Sequence, residues 1–254
     1  MARTLIGIVL AAALLYLGLC ALLFFFQRSL IYFPQPAAAV GSVPTITLAT
    51  SQGEVIVTTR PRPGAAAVLY FGGNAEDVRR SLPELAAAFP EQALYLMHYR
   101  GYGGSAGSPS EAALLSDALA LFDRVAPDHA QVVAVGRSLG SGVAVYLASV
   151  RPVARLVLVT PYDSLQEIAA GQFPIFPVRW LLRDRFDAGR HAPRVTAPTL
   201  LLAAEHDEII PGASTQQLYR RFAPGVASLQ VLPGTGHNTI SAAPGYAALL
   251  GGRG

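Results

Sequence analysis

The chain has 254 residues, 52% of them hydrophobic and 14% charged, and its net charge of +3 rests on 19 arginines with no lysine. Without lysine there is no Schiff-base chemistry and no Walker-type phosphate lysine. A single cysteine, Cys20, excludes an internal disulfide and a cysteine-based metal site.

Thr4 to Phe26 reads TLIGIVLAAALLYLGLCALLFFF, 23 residues without a charge. At ~1.5 Å per residue a helix of that length reaches about 34 Å, enough to cross a ~30 Å hydrocarbon core. A cleavable signal has a shorter apolar run, roughly 7–15 residues, followed by small residues. Leu22–Phe26 is bulky at that point. The expectation is an uncleaved, single-pass signal anchor over residues 1–30, outside the globular domain, which then occupies 31–254. The amino terminus and Arg3 precede the span and only Arg28 lies close behind it. The positive-inside rule therefore places the domain on the non-cytoplasmic side.

After Pro34, apolar β-rich runs recur at 45–49, 54–59, 66–71, 94–98, 132–136, 155–160, 199–204 and 228–233. Helix-like segments lie between the later runs, near 75–88, 109–125, 138–149 and 213–222, with a last one near 239–250. Alternating strands and helices predict a mostly parallel sheet covered by helices on both faces, and the first two runs predict an antiparallel start. Ser108-Pro109-Ser110-Glu111 has the form of a capping box opening the 109–125 helix. Between Asp163 and Arg194 the alternation stops. This Pro-, Phe-, Trp- and Arg-rich insertion has the place of a lid over an acyl site, with Phe173, Ile175, Phe176, Val178, Trp180, Leu181 and Leu182 as its apolar surface. Its arginines, Arg179, Arg183, Arg185, Arg190 and Arg194, are suited to anionic headgroups.

Two G-x-S-x-G matches occur, Gly103–Gly107 and Gly136–Gly140. The pattern is short, so context decides between them. Ser138 follows the strand VVAVG and opens the helix SLGSGVAVYLASV directly, the strand–turn–helix setting of a nucleophile elbow. Ser105 sits in a glycine-rich loop, with its helix starting later. Ser138 is the candidate nucleophile.

A serine needs a base, and the base needs an orienting acid. With an elbow of this kind the chain order is serine, acid, histidine. His98 precedes Ser138; His129 lies in a helix-to-strand loop, His191 in the insertion, and His206 leaves no room for an acid before it. His237, in the loop LPGTGHN after the last strand, has the place of the base. The acid belongs in the loop after TLLLAA, where its offset favours Asp207. Glu205 and Glu208 are its neighbours, and Asp163 follows the preceding strand. The oxyanion hole needs two backbone N–H groups. Leu139 supplies one. The loop FGGNAED supplies the other, from Asn74 first or Gly73 second; Asn74 also has the form of a helix N-cap, with Asp77 three residues on.

The stretches LIYFPQP, YFGGNAEDV, YRGYGGSAGSPSE, VGRSLGSGVA, TPYDSL, PTLLLAAEHDEIIP and GTGHN together resemble the membrane-anchored α/β-hydrolases related to the fungal polarity-associated hydrolases and the animal protein depalmitoylases. The match departs from that family in AAEH before Asp207, where relatives carry a glycine, and in Phe71-Gly72, where many hydrolases have His-Gly. The resemblance implies the α/β-hydrolase fold, a triad of Ser138, Asp207 and His237, and an oxyanion hole at Asn74 and Leu139. The expected activity is hydrolysis of an ester or thioester through an acyl-enzyme, on an acyl substrate that includes lipid-linked ones. No cofactor, metal or nucleic acid is expected; the membrane partner is lipid, met by the N-terminal helix. The alternatives are a serine peptidase or amidase of the same fold, and a non-catalytic membrane scaffold.

Overall fold

The computed structural model describes residues 1–36, 43–50, 52–64 and 66–252. Eight strands form one sheet: β1 (Thr45–Thr50), β2 (Gly53–Arg60), β3 (Ala66–Phe71), β4 (Ala93–Met97), β5 (Gln131–Arg137), β6 (Arg155–Val159), β7 (Thr199–Ala204) and β8 (Ala227–Leu232). Their order is β1-β2-β4-β3-β5-β6-β7-β8. β1 pairs antiparallel with β2 and β2 with β4; all later pairs are parallel. The strand runs read from the sequence match these within a residue or two, because fully apolar runs such as RLVLV must be buried on both faces.

Nine α-helices are present among the described residues: α1 (Ala2–Ile31), α2 (Leu82–Ala88), α3 (Glu111–Val125), α4 (Leu139–Val150), α5 (Leu165–Gln172), α6 (Val178–Leu181), α7 (Ala188–His191), α8 (Gly212–Arg221) and α9 (Tyr246–Gly251). Leu114, Leu121, Val143, Leu147, Ala188 and Leu218, from α3, α4, α7 and α8, share one apolar cluster with the sheet. Leu85, Tyr246 and Leu250, from α2 and α9, pack into a second cluster. This is an α/β-hydrolase fold, with the carboxyl ends of the parallel strands at one edge.

Three local expectations are corrected. The α3 N-cap is Ser110, whose side chain accepts from the Ala113 N–H, so Ser108-Pro109 lies before the helix. Glu111 accepts instead from the Arg185 N–H. Asn74 caps no helix. Asp77 is the cap of a 3₁₀ turn over Val78–Ser81, and α2 follows with Pro83 in its first turn, where a missing N–H costs nothing. The segment near 239–250 divides into a 3₁₀ turn (Ile240–Ala242) and α9, with Gly245 left-handed at the junction.

α1 is one continuous helix of 30 residues, apolar and long enough to cross a membrane, with only 6% of its most apolar window buried. Residue 30 divides the sequence but not the structure. Tyr16 donates to the Ile175 carbonyl (2.8 Å), the Leu181 carbonyl accepts from Gln27 (3.1 Å), and Gln27 Oε1 accepts from the Arg183 N–H (2.7 Å). Arg28 pairs with the buried Asp184 at 3.0 Å. The insertion also divides. Its first part meets α1 through Ile175 and Phe176, between α5 and α6, and through Leu181 at the end of α6. Its second part returns to the core, where Phe186, Ala188 and Ala192 are buried and α7 packs on α4 and α8. Arg190 and Arg194 go with that second part.

Candidate active site

β5 ends at Arg137 and α4 begins at Leu139, leaving Ser138 as the whole turn. Its backbone, φ 49° and ψ −118°, is one that L-residues rarely adopt. Strain of this kind costs on the order of 1–3 kcal/mol and persists only where the surroundings enforce it. Here close packing enforces it. A Cβ on Gly136 would lie 2.7 Å from the Ala144 Cβ, and one on Gly140 would strike the Phe71 carbonyl. Both glycines are required for strand and helix to close on each other. The turn leaves Ser138 at the N-terminus of α4, where unpaired N–H groups carry partial positive charge.

His237 Nε2 lies 3.0 Å from Ser138 Oγ. Its Nδ1 lies 2.9 and 3.0 Å from the two carboxylate oxygens of Asp207. The His237 and Asp207 side chains are only 5% and 6% exposed. Asp207 Oδ1 also accepts the N–H groups of Ile209 (3.0 Å) and Ile210 (2.7 Å). Burial alone would raise the Asp207 pKa. The hydrogen bonds from His237 and these two amides outweigh it and hold the carboxyl below its ordinary value.

The other candidates have separate places. Ser105 donates to the His98 carbonyl (2.9 Å) and accepts the Ile56 N–H (2.9 Å), tying its loop to β2. Asp163 is buried against α8, with Gln217 at 2.9 Å and Arg221 at 3.6 Å. Glu208 accepts the His237 N–H (3.1 Å) and Glu205 the Gly234 N–H (2.8 Å), so both acids hold the histidine loop from its backbone. His98 is buried on Thr58 Oγ1 at 2.8 Å, His129 meets the Tyr95 hydroxyl, and His191 faces Tyr146 edge-on. His206 is exposed beside Glu205.

Of the two oxyanion candidates in the FGGNAED loop, Gly73 has its N–H committed to Glu76 Oε2 at 2.8 Å. Among the described residues, neither the Asn74 N–H nor the Leu139 N–H has a hydrogen-bond acceptor. A Cβ on Gly73 would lie 3.8 Å from the Ser138 Cβ, which puts this loop beside the serine. Glu76 was not singled out in the sequence. Its carboxylate accepts from Gly73, from the Tyr70 hydroxyl (2.7 Å) and from Ser81 Oγ (2.6 Å), and it pairs with Arg137 at 3.3 Å. Its spacing of three from Gly73, inside a loop, was the available signal. The loop is braced from the other side by the end of α1. Asn74 Nδ2 donates to the Ile31 carbonyl (3.0 Å), and the Asn74 carbonyl accepts from the Phe33 N–H (3.2 Å) and the Tyr102 hydroxyl (2.5 Å).

A cavity of about 880 Å³ opens on Ser138 and His237. Its walls come from α1 (Leu23, Gln27, Leu30, Ile31) and from the insertion (Phe173, Phe176, Leu181). Glu76, Arg80 and Arg137 form a polar end. The α1 residues recur at spacings of three and four and so share one helix face. That face includes Gln27, the one polar side chain between Thr4 and Arg28 other than Tyr16 and Cys20.

An uncharacterized protein of Mycobacterium tuberculosis is 37% identical to this chain, over 91% of it and 87% of that protein. The protein bem46 of Schizosaccharomyces pombe is 28% identical over 70% of this chain and 64% of its own length. The lysophosphatidylserine lipase ABHD12 of Xenopus tropicalis is 29% identical over 75% and 57% respectively. This chain belongs to the α/β-hydrolase family of these proteins. The profile of the serine aminopeptidase S33 family matches residues 162–242. Among solved structures, the Pyrococcus furiosus esterase Pf2001 superposes with a TM-score of 0.68 at 16% identity, covering 87% of this chain and 97% of that one. That likeness shows the α/β-hydrolase fold.

Proposed function

We propose that this hydrolase is a membrane-tethered serine enzyme that cleaves an ester or thioester bond through an acyl-enzyme. The observation that carries the reading is the unbroken hydrogen-bond chain from Ser138 Oγ through His237 to Asp207 at the mouth of an apolar cavity. Ser138 Oγ attacks the carbonyl carbon, and His237 Nε2 takes the hydroxyl proton. Asp207 holds the imidazole with its Nδ1–H directed at the carboxylate and stabilises the cation that forms. The N–H groups of Leu139 and Asn74 receive the oxyanion. His237 returns the proton to the leaving alcohol or thiol, and water, activated by the same histidine, releases the acid.

The similarity of residues 162–242 to the serine aminopeptidase S33 family favours a peptidase as the second reading. The largely apolar walls of the cavity favour an acyl chain, and the similarity to a lysophosphatidylserine lipase supports an ester. A fluorophosphonate probe tests the activated serine without knowledge of the substrate. Labelling of the wild type and none of Ser138→Ala is expected. Comparison of p-nitrophenyl acyl esters with aminoacyl anilides then separates the two readings.

The tether is α1, with its N-terminus on the cytoplasmic side. A C-terminal alkaline phosphatase fusion is expected to be active, because that reporter needs export; an inactive fusion reverses the orientation.

A further inference from the structure

The apolar residues of α5, α6 and their connection do not all face the cavity. Phe173, Ile175 and Trp180 are 46%, 72% and 86% exposed. Ile175 and Trp180 are absent from the cavity wall, so lining an acyl site does not account for them. For Ile175 its height along α1 does, and Trp180 lies nearer the end of α1, beside Leu181, whose carbonyl accepts from Gln27. Tyr16 stacks on Phe176, with ring centroids 6.0 Å apart and planes within 4°, and its hydroxyl holds the Ile175 carbonyl. Tyr16 is ten residues before Phe26, about 15 Å along the helix, which is half of a ~30 Å hydrocarbon core.

Polar groups lie at the other end of this contact. Gln27, Arg28, Arg183 and Asp184 meet at the last turns of α1, where the span leaves the hydrocarbon. Arg183 lies with its guanidinium carbon 5.8 Å from the centroid of the Phe24 ring, a cation–π contact at the same turns of α1. Residues 173–178 carry no charge, while Arg179 pairs with Glu167 at 2.6 Å on the way to that polar end. Backbone polar groups at membrane depth must be paired, and here the N–H groups of Phe173, Phe176, Val178 and Trp180 bond within the segment while the Tyr16 hydroxyl takes the Ile175 carbonyl.

We propose that the tip of this segment, Phe173 to Val178 together with the Trp180 ring, is immersed in the bilayer beside α1, with the Arg179–Glu167 pair at its rim, so that the cavity between them admits the acyl chain of a lipid directly from the hydrocarbon. The proposal rests on the hydrolase reading above and on α1 crossing a bilayer. It assigns the partner of this exposed apolar surface as lipid acyl chains, and the substrate as an ester or thioester whose chain already resides in the membrane.

Trp180 is the only tryptophan in the chain and reports the depth directly. The protein is placed in nanodiscs of phosphatidylcholine with or without bromine on the upper part of the acyl chains. Trp180 emission is expected to fall at least two-fold with brominated lipid and to resist aqueous acrylamide. A control, Trp180→Phe with Leu10→Trp, reports α1 alone. Quenching of the control with Trp180 unquenched by bromine overturns the proposal. A control that bromine also fails to quench overturns it together with the membrane span. The double variant Ile175→Asp, Trp180→Asp supplies the functional arm. It is expected to label with fluorophosphonate as the wild type does and to hydrolyse a long-chain ester held in vesicles at least ten-fold more slowly. Unchanged vesicle turnover overturns the proposal, whereas a wild type that fails to label overturns the hydrolase reading instead.

Discussion

Glu76 is the residue whose replacement tests the oxyanion loop most directly. One carboxylate oxygen accepts the Gly73 N–H and faces Arg137; the other accepts the hydroxyls of Tyr70 and Ser81. In Glu76→Ala all these donors lose their acceptor. A buried donor left unpaired costs about 1–3 kcal/mol, so the loop gains by turning its Gly73–Asn74 peptides elsewhere. If that movement removes the Asn74 N–H from the oxyanion site, kcat falls by roughly 10²–10³, the effect of one lost donor. Glu76→Gln behaves differently. Its amide oxygen faces Gly73 and Arg137, while its NH₂ faces the two hydroxyls, which rotate to accept. That variant keeps the loop and is expected to retain kcat within about ten-fold, since only a charge-assisted bond is weakened. The assay is steady-state turnover of a p-nitrophenyl ester, with fluorophosphonate labelling rate and thermal unfolding measured alongside. Glu76→Ala is expected to lose kcat with little change in KM, and Glu76→Gln to recover it. A folded Glu76→Ala variant with wild-type kcat refutes the assignment of this loop, and equal losses in both variants refute the role of its hydrogen bonds.

Other outcomes follow from the same geometry. Ser138→Ala is expected to cost up to ~10⁶ in rate. Ser105→Ala should keep labelling and lose about 1–3 kcal/mol of stability, read by thermal unfolding, because the Ile56 N–H loses its acceptor. Asp207→Asn is expected to lower kcat by about 10⁴, as loss of the orienting carboxylate does in a related triad. Asp163→Asn, on its α8 brace, should leave kcat near wild type in the same ester assay, and the reverse pattern would move the acid to Asp163. His98 is 2% exposed, and burial lowers its pKa from 6.5 to about 4. The unfolded chain therefore binds this proton first as pH falls, and stability drops between pH 6.5 and about 4, by about 3 kcal/mol for this group. The lowered Asp207 pKa acts in the same direction, its contribution being lost as pH falls through the folded value. Thermal unfolding across this range, with His98→Gln flattening the slope, is the measurement.

The strands were legible because the sheet buries both faces and leaves continuous apolar runs, and the elbow was legible because Ser138 has strand on one side and helix on the other. His237 and Asp207 were legible as loop positions after β8 and β7. Their approach to Ser138 was not, since they lie 99 and 69 residues away in the chain and only the parallel order of the strands brings those loops to one edge. Capping patterns misplaced the start of α3 and the role of Asn74, because in each case a tertiary partner competed with the local one: the Arg185 N–H took Glu111, and the Ile31 carbonyl took Asn74. Hydropathy marked α1 as a membrane span and suggested separation from the domain, because the criterion of length and apolarity is blind to which face a helix turns inward. By itself the sequence determined the local chemistry: an apolar helix, alternating strands and helices, and a serine at a strand-to-helix turn. Only the tertiary structure decided that one face of that helix walls the cavity and that its last turn braces the FGGNAED loop, because both depend on where Leu23, Gln27 and Ile31 meet residues more than 40 positions away.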